Sequence, residues 1–354
     1  MFLYGVMAVL YMMPSEDEKG LAEFDKELKR AIAAFNKGRF YEVESILYKV
    51  IWTMHVIPDE HIQARTLLGN ALRRMGRTAE AEKELRKALE IATAEGKAAT
   101  RRDLMLSMGK IHFRKGDLDL ANDFLKDALN SAREAKDELI EGKALIDLGN
   151  VQIMLGNYDV AEVRFRDGTK LIEKVGTKAE LMRGLHNLAY VYFHNGNLQR
   201  AKEVLLRCVE LCSGAEPGIC IYVFSDLAHT YINLGELDKA EEVLKKAEEK
   251  LDRTDDKLGR LNLRWVQGLL KGARGDTKDA FGIFEEILPA LEEVGAQANI
   301  VEIILDYLPI LIGAGKTKET HEFLTKAKAI VEQRSLGHFK KKIAEMEAQL
   351  KMAH

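Results

Sequence analysis

Small and large apolar positions recur along the chain with a fixed rhythm. Short turn signals mark it: GRFYEV at Gly38, GRTAEA at Gly76, GDLDLA at Gly116, GNYDVA at Gly156, GNLQRA at Gly196, GELDKA at Gly235, GDTKDA at Gly275 and GKTKET at Gly315. Successive glycines stand 38, 40, 40, 40, 39, 40 and 40 residues apart. Seven residues before the central glycine comes another small residue: Gly69, Gly109, Gly149, Ala189, Ala228 or Gly268. Five residues after it comes Ala81, Ala121, Ala161, Ala201, Ala240 or Ala280, and four further on a large apolar residue: Leu85, Leu125, Phe165, Leu205, Leu244 or Phe284. A constant period of this length signals a repeat architecture. Each unit predicts a helical hairpin. Small residues on both helices let the backbones approach, and the central glycine takes the left-handed conformation that ends the first helix. A following Asp or Asn is expected to cap the second helix. The large residue is expected to fill the space between neighbouring hairpins.

Leu68-Gly69, Leu148-Gly149, Leu188-Ala189-x-x-Tyr192 and Leu227-Ala228-x-x-Tyr231 resemble the first half of the tetratricopeptide repeat. Ala161-x3-Phe165 and Ala280-x3-Phe284 resemble its second half. The resemblance covers residues 20 to 333. The period near 40 exceeds the usual 34, and the early Trp and late Pro are missing. This is similar to the long-helix repeats of kinesin light chains, polarity adaptors and some bacterial regulators. The first and eighth copies are degenerate, with Val43 and Thr320 in place of the alanine. The resemblance implies an all-α, right-handed superhelical solenoid of eight hairpins over 18–333, followed by a C-terminal capping helix over 334–354. In that tail Phe339, Ile343, Met346 and Leu350 form one apolar stripe, expected to cover the eighth hairpin. Pro289 and Pro309 fall inside helices and are expected to kink or shorten them.

The N-terminal segment 1–17 breaks the pattern. MFLYGVMAVLYMMP has no charged residue before Pro14. It is too short for a membrane span, which needs about 20 apolar residues. It also lacks the basic start of an export signal. Three soluble readings stand: a cap on the first hairpin, an occupant of a groove that includes self-association through residues 1–13, or a start-site artefact at Met12 or Met13.

Composition narrows the function. The net charge is -3 among 31% charged residues, which argues against a nucleic-acid partner. Three cysteines are too few for a disulfide framework and suggest a reducing, cytoplasmic setting. A Cys212–Cys220 disulfide is therefore not expected. Gly313-Ala314-Gly315-Lys316-Thr317 mimics the end of a phosphate-binding loop, but Ile310 stands where a glycine is needed, and Gly315 is the eighth turn. Cys208 and Cys212 near His186, His194 and His229 raise a zinc site, yet Cys208 falls on the small packing position of Ala88, Ala128 and Ala247. No nucleophile–base spacing is visible, so no enzyme, cofactor or metal is expected.

In the resembling family the first helices line the concave surface, which makes that surface the expected site. With Gly69 or its equivalent as position eight, positions 2, 5, 6, 9, 12 and 13 face away from the packing side. They carry Arg73, Arg74, Lys110, Arg114, Lys143 and Arg183 against Asp103 and Asp147 in repeats two to five, and Asp226, Glu302 and Asp306 in repeats six to eight. Between lie His186, Asn187, Tyr190, Phe193, His194, Tyr222, His229 and Trp265, with Asn70 and Asn150 recurring at position nine. Amides there match a peptide backbone, and aromatics supply contact area. The expected activity is that of a protein–protein adaptor or scaffold binding a polypeptide, with acidic residues toward one end or a free C-terminal carboxylate. The alternative is a regulator that senses a peptide or small ligand and changes curvature, although no DNA-binding domain precedes the repeats.

Overall fold

The computed structural model describes residues 16–53, 57–213, 217–252, 256–334 and 336–352. Residues 1–15, and with them the opening apolar stretch, lie outside the described residues. The described chain is all-α, without a strand, and divides into two compact units at Asp147/Leu148, inside one helix.

Unit 1 holds α1 (Glu16–Asn36), α2 (Phe40–Thr53), α3 (Pro58–Arg74), α4 (Thr78–Ala94), α5 (Ala98–Lys115), α6 (Leu118–Ala135) and the start of α7 (Glu138–Met154). Unit 2 holds the rest of α7, then α8 (Tyr158–Val175), α9 (Lys178–His194), α10 (Leu198–Leu211), α11 (Pro217–Asn233), α12 (Leu237–Leu251), α13 (Lys257–Ala273), α14 (Thr277–Glu293), α15 (Gln297–Gly313) and α16 (Thr317–Gln333). A 3₁₀ turn at Gly337–Phe339 leads into α17 (Lys340–Met352).

The turn glycines behave as their spacing requires. All eight have φ between 69° and 84°, a region that L side chains enter only at a steric cost. After α5, Gly116 N–H bonds Phe113 O at 3.1 Å and Asp117 N–H bonds His112 O at 2.9 Å, the paired bonds that satisfy a helix's last carbonyls. The expected side-chain caps do not form at Asp117, Asn157, Asn197 or Asp276. These side chains turn back instead: Asp117 bonds His112 at 3.2 Å, and Asn157 donates to Gln152 at 3.0 Å. Side-chain caps occur between hairpins, where Thr177 Oγ1 accepts from Glu180 N–H and Asp256 Oδ1 accepts from Gly259 N–H.

The small–large pairs work within a hairpin rather than between hairpins. A Cβ at Gly69 would stand 2.6 Å from Leu85 Cγ, one at Gly109 would stand 2.6 Å from Leu125 Cγ, and one at Gly149 would meet the Phe165 ring at 2.7 Å. The missing methyl lets each large side chain press on the facing backbone, and all three are buried. Full burial of one such side chain contributes about 1.5–3 kcal/mol. The prolines do not shorten their helices: α14 and α15 each run 17 residues through Pro289 and Pro309. Buried Leu288, Leu291, Leu308 and Leu311 flank them and hold the helix where a backbone bond is lost.

The tail's apolar stripe is buried as expected, with Phe339, Ile343, Met346 and Leu350 all inside. α17 packs on α15 and α16. The preceding turn reaches farther: a Cβ at Gly156, in the fourth hairpin, would lie 3.8 Å from His338 Cα.

Candidate functional site

In unit 1 the expected surface residues sit at the ends of α3 and α5. Arg74 is exposed, while Asn70 and Arg73 are half-buried. Lys110 Nζ lies 3.1 Å from Asp147, and Arg114 donates to Arg73 O at 2.9 Å. These side chains form a polar strip with partial internal pairing.

In unit 2 the first helices wall a cavity of about 180 Å³. It gathers His186, Tyr190, His194, Tyr222, His229 and Trp265, six of the residues expected from sequence, together with Asp226 and Glu302. Rings run along it in a chain: Tyr158–His194 at 5.7 Å, Phe193–His194 at 5.5 Å, Phe193–His229 at 4.6 Å and His229–Trp265 at 5.2 Å between centroids. Tyr190 lies 4.1 Å from His194. Asn150, Asn187 and Arg183 are not on its wall; Asn187 donates to Asn150 at 2.9 Å, and Arg183 is exposed.

Asp226 and Glu302 on this wall, and Asp306 on α15 beside it, each meet an imidazole. His186 Nε2 is 2.6 Å from Asp226, His194 Nε2 is 3.5 Å from Glu302, and His229 Nε2 is 3.5 Å from Asp306. The last two pairs join the fifth and sixth hairpins to the eighth. Burial lowers the His229 pKa despite Asp306 nearby. Burial pushes up the hydroxyls of Tyr190, Tyr158 and Tyr222, the last two to about 12, with Glu302 adding at Tyr158 and Asp256 at Tyr222. At Asp306 burial acts upward, but the charges of Lys342 and His229 win and hold the carboxyl below its usual range.

Two buried polar atoms on this wall lack a hydrogen-bond partner: Trp265 Nε1, a donor, and Asn262 Oδ1, an acceptor. Their residues are 4% and 9% exposed. Leaving such a group unsatisfied costs about 1–3 kcal/mol, which a ligand with a matching acceptor and donor offsets. Sequence reasoning missed Asn262, although it occupies position two of the same first-helix scheme. It also missed Tyr158, His338 and Lys342, which stand outside the first helices.

A second cavity of about 550 Å³ opens beside α17, with His229, Asn233, Asp306, Lys342 and Met346 on its wall.

The other candidate chemistries dissolve. Gly315 forms the eighth turn after a helix, and Lys316 pairs with Glu319 at 3.0 Å. Among the described residues no group of three His, Cys, Asp or Glu side chains is placed to hold a metal. Cys208 is fully buried, its thiol pushed up to about 12 by burial. The expectation of three free thiols is corrected: Cys212 and Cys220 form a disulfide, with Cα atoms 5.8 Å apart. The end of α10 and the first turn of α11 bring them within bonding distance. Among the described residues no helix is long and apolar enough to cross a membrane.

Comparison with known proteins agrees with this geometry. The tetratricopeptide-repeat family model matches residues 60–134 and 100–174, and the model of 26S proteasome subunit RPN7 matches 161–305. Among solved structures, the apo form of the quorum sensor NprR from B. thuringiensis is similar over 93% of this chain and 92% of its own, with TM-score 0.70 and 15% identity. The apo form of RapI is similar over 88% and 98%, with TM-score 0.66 and 12% identity. A Rap protein complexed with competence and sporulation factor is similar over 94% and 100%, with TM-score 0.59 and 12% identity. A sequence search of curated proteins found no significant match. Residues 60–174 thus match the tetratricopeptide-repeat model, and the all-α hairpin fold of the described chain is that of these solved structures.

Proposed function

We propose that this chain is a polypeptide-binding protein and that the inner wall of unit 2 is its principal site. The observation that carries the reading is the enclosed aromatic cavity, with a buried unpartnered donor on Trp265 and a buried unpartnered acceptor on Asn262. A peptide group supplies one acceptor and one donor, and the rings offer contact area at low entropic cost. The Rap and NprR structures solved with peptides or signalling factors support the same class of ligand for this fold. The strip of Arg73, Arg74, Lys110 and Arg114 on unit 1 favours acidic residues, or a free C-terminal carboxylate, in a segment bound there. The chain acts by binding, as an adaptor or scaffold.

The test is selection of a displayed peptide library on the full chain, followed by titration of the selected peptide. Asn262→Ala should weaken a channel-binding peptide about tenfold, the equivalent of 1.4 kcal/mol. Arg74→Glu should weaken acidic peptides bound to unit 1. If selected peptides bind the wild type and Asn262→Ala alike, the channel is not the site.

A second reading, a peptide-sensing regulator, is favoured by the two cross-channel pairs. A ligand group that takes Glu302 or Asp306 separates it from His194 or His229, and so loosens the tie between the eighth hairpin and the fifth or sixth. Hydrogen exchange of α9, α11 and α15 should then change when peptide binds. Unchanged exchange on saturation leaves the adaptor reading alone.

A further inference from the structure

The C-terminal segment borders the second cavity of unit 2, which carries Asp306 and shares His229 with the aromatic cavity. Lys342 Nζ lies 2.6 Å from Asp306 Oδ1. The other oxygen, Oδ2, is buried without a hydrogen-bond partner and has only the His229 imidazole nearby, at 3.5 Å. Lys342 is the one lysine or arginine among the residues lining the two cavities. Without it, Asp226, Glu302 and Asp306 would face only imidazoles. The seat therefore calls for a fixed positive charge.

α17 supplies that charge without filling the space. The cavity of about 550 Å³ remains between Lys342 and Met346 on one side and α11, α13 and α15 on the other. Only one stripe of α17 is buried, and Lys340, Lys341, Ala344, Ala348 and Gln349 are exposed. The 3₁₀ turn that precedes it is anchored by apolar packing of Phe339, whereas buried His338 Nδ1 has no partner. A chain segment seated by one stripe and two ion pairs, Lys342 with Asp306 and Glu347 with Lys328 of α16, beside an open cavity, has the form of a replaceable occupant.

We propose that Asp306 is a recognition seat for a lysine on an amphipathic helical segment of the partner, and that α17 holds this seat in cis as a built-in competitor. The lysine should be followed by an apolar residue four positions on, as Met346 follows Lys342, since these two face the same cavity. This rests on the reading of the channel as a polypeptide site and adds the ligand's charge and helical form.

The experiment uses the full chain and a fluorescein-labelled peptide of residues 336–352. Anisotropy is read for the wild type, Lys342→Met and Lys342→Met with Asp306→Asn. Lys342→Met keeps an unbranched stem for packing; Lys342→Gln is the second variant should it misfold, with circular dichroism as the check. The peptide should bind Lys342→Met at least about tenfold tighter than the wild type. The added Asp306→Asn should abolish the gain, and the peptide with its own Lys342→Glu should not bind. Equal affinity for wild type and Lys342→Met, or no binding to either, overturns the proposal. Peptides selected from a library that bind Asp306→Asn as well as wild type would also overturn it, while leaving the channel as a polypeptide site.

Discussion

Along residues 57–147 the charged side chains pair with the adjoining helices of the solenoid. Arg65 pairs with Glu84, Arg77 with Glu44 at 2.6 Å, Lys115 with Glu82 at 2.9 Å, and Lys110 with Asp147 at 3.1 Å. In residues 148–352 two inner pairs reach farther along the chain, His194 to Glu302 and His229 to Asp306, and Lys342 joins Asp306 from one repeat length on. The hairpin is the same in both units. Partners that are near in sequence make a ladder, which stiffens a surface. Partners separated by two or three repeats enclose a cavity, which makes a site. Under the proposed function, unit 1 is scaffold with a charged face and unit 2 is the part that responds to a ligand.

The shared scaffold is tested by truncation in both units. Phe165→Ala in unit 2 should cost about 3–5 kcal/mol and Leu85→Ala in unit 1 about 2–5 kcal/mol, because each fills a space made by a glycine across the hairpin. Urea denaturation reads both. A cost near zero for either would mean that its hairpin is held by something other than this pair.

The ladder and the channel should differ in how they fail. Arg65 and Glu84 have side chains only 11% and 8% exposed. Arg65→Ala leaves Glu84 buried without its cation, a loss of about 3–5 kcal/mol. Asp306→Asn removes the carboxylate instead and leaves Lys342, which is 32% exposed, with access to water. Its cost should be smaller, about 1–2 kcal/mol. The comparison breaks if Asp306→Asn proves the more damaging by calorimetric melting.

Acid sharpens the contrast. His229 and His338 in unit 2 have pKa values lowered, mainly by burial. A lowered folded-state histidine pKa gives stability that is full above the unfolded value of about 6.5 and is lost as pH falls below it. Asp306, with its pKa lowered, loses stability in the same direction at more acid pH. In unit 1 His61 is also lowered by burial and the Arg65 charge, but Glu60 is raised by burial and so gains on acidification. The two tryptophans separate the units: Trp52 is 74% exposed and Trp265 is 4% exposed beside His229. In a Trp52→Phe chain, Trp265 emission should hold down to pH 6.5 and fall only below it, as an imidazolium forms against its ring. Constant emission down to pH 5 would mean that His229 stays neutral and the channel does not sense acid.

What the sequence made legible follows from what a single hairpin determines. The glycine turns, the Gly69–Leu85 type of pair and the helix boundaries are local; the turns recur eight times and the pair six. The inner position of Tyr190, His194, His229 and Trp265 follows from helical periodicity alone. The cross-channel pairs do not, because His229 and Asp306 meet only through the summed curvature of several hairpins. Lys342 meets Asp306 within one repeat length, but its stripe predicted only a cap on the eighth hairpin and not a charge beside Asp306. Asn262 was within reach of the periodicity and was passed over. The Cys212–Cys220 pairing follows from a sequence separation of 8, which composition and compartment do not register.

The smallest expected effect lies in a turn between hairpins. Lys136 has φ 55°, whereas the corresponding turns after α4 and α14 use Gly96 and Gly295 with φ 65° and 70°. Its N–H bonds Arg133 O at 3.1 Å, so the bond pattern of the turn does not depend on the side chain. A non-glycine residue in this conformation carries strain of about 1 kcal/mol or more, partly offset by the greater freedom of glycine in the unfolded chain. Lys136→Gly should therefore stabilise unit 1 by about 0.5 kcal/mol, with the denaturant slope unchanged. Gly96→Ala should move stability the other way by a similar amount, because it introduces the strain that Lys136 already bears. A loss of stability in Lys136→Gly would mean that the lysine side chain contributes more through its charge than the turn loses in strain, and the ladder of ion pairs in unit 1 would then extend into its turns.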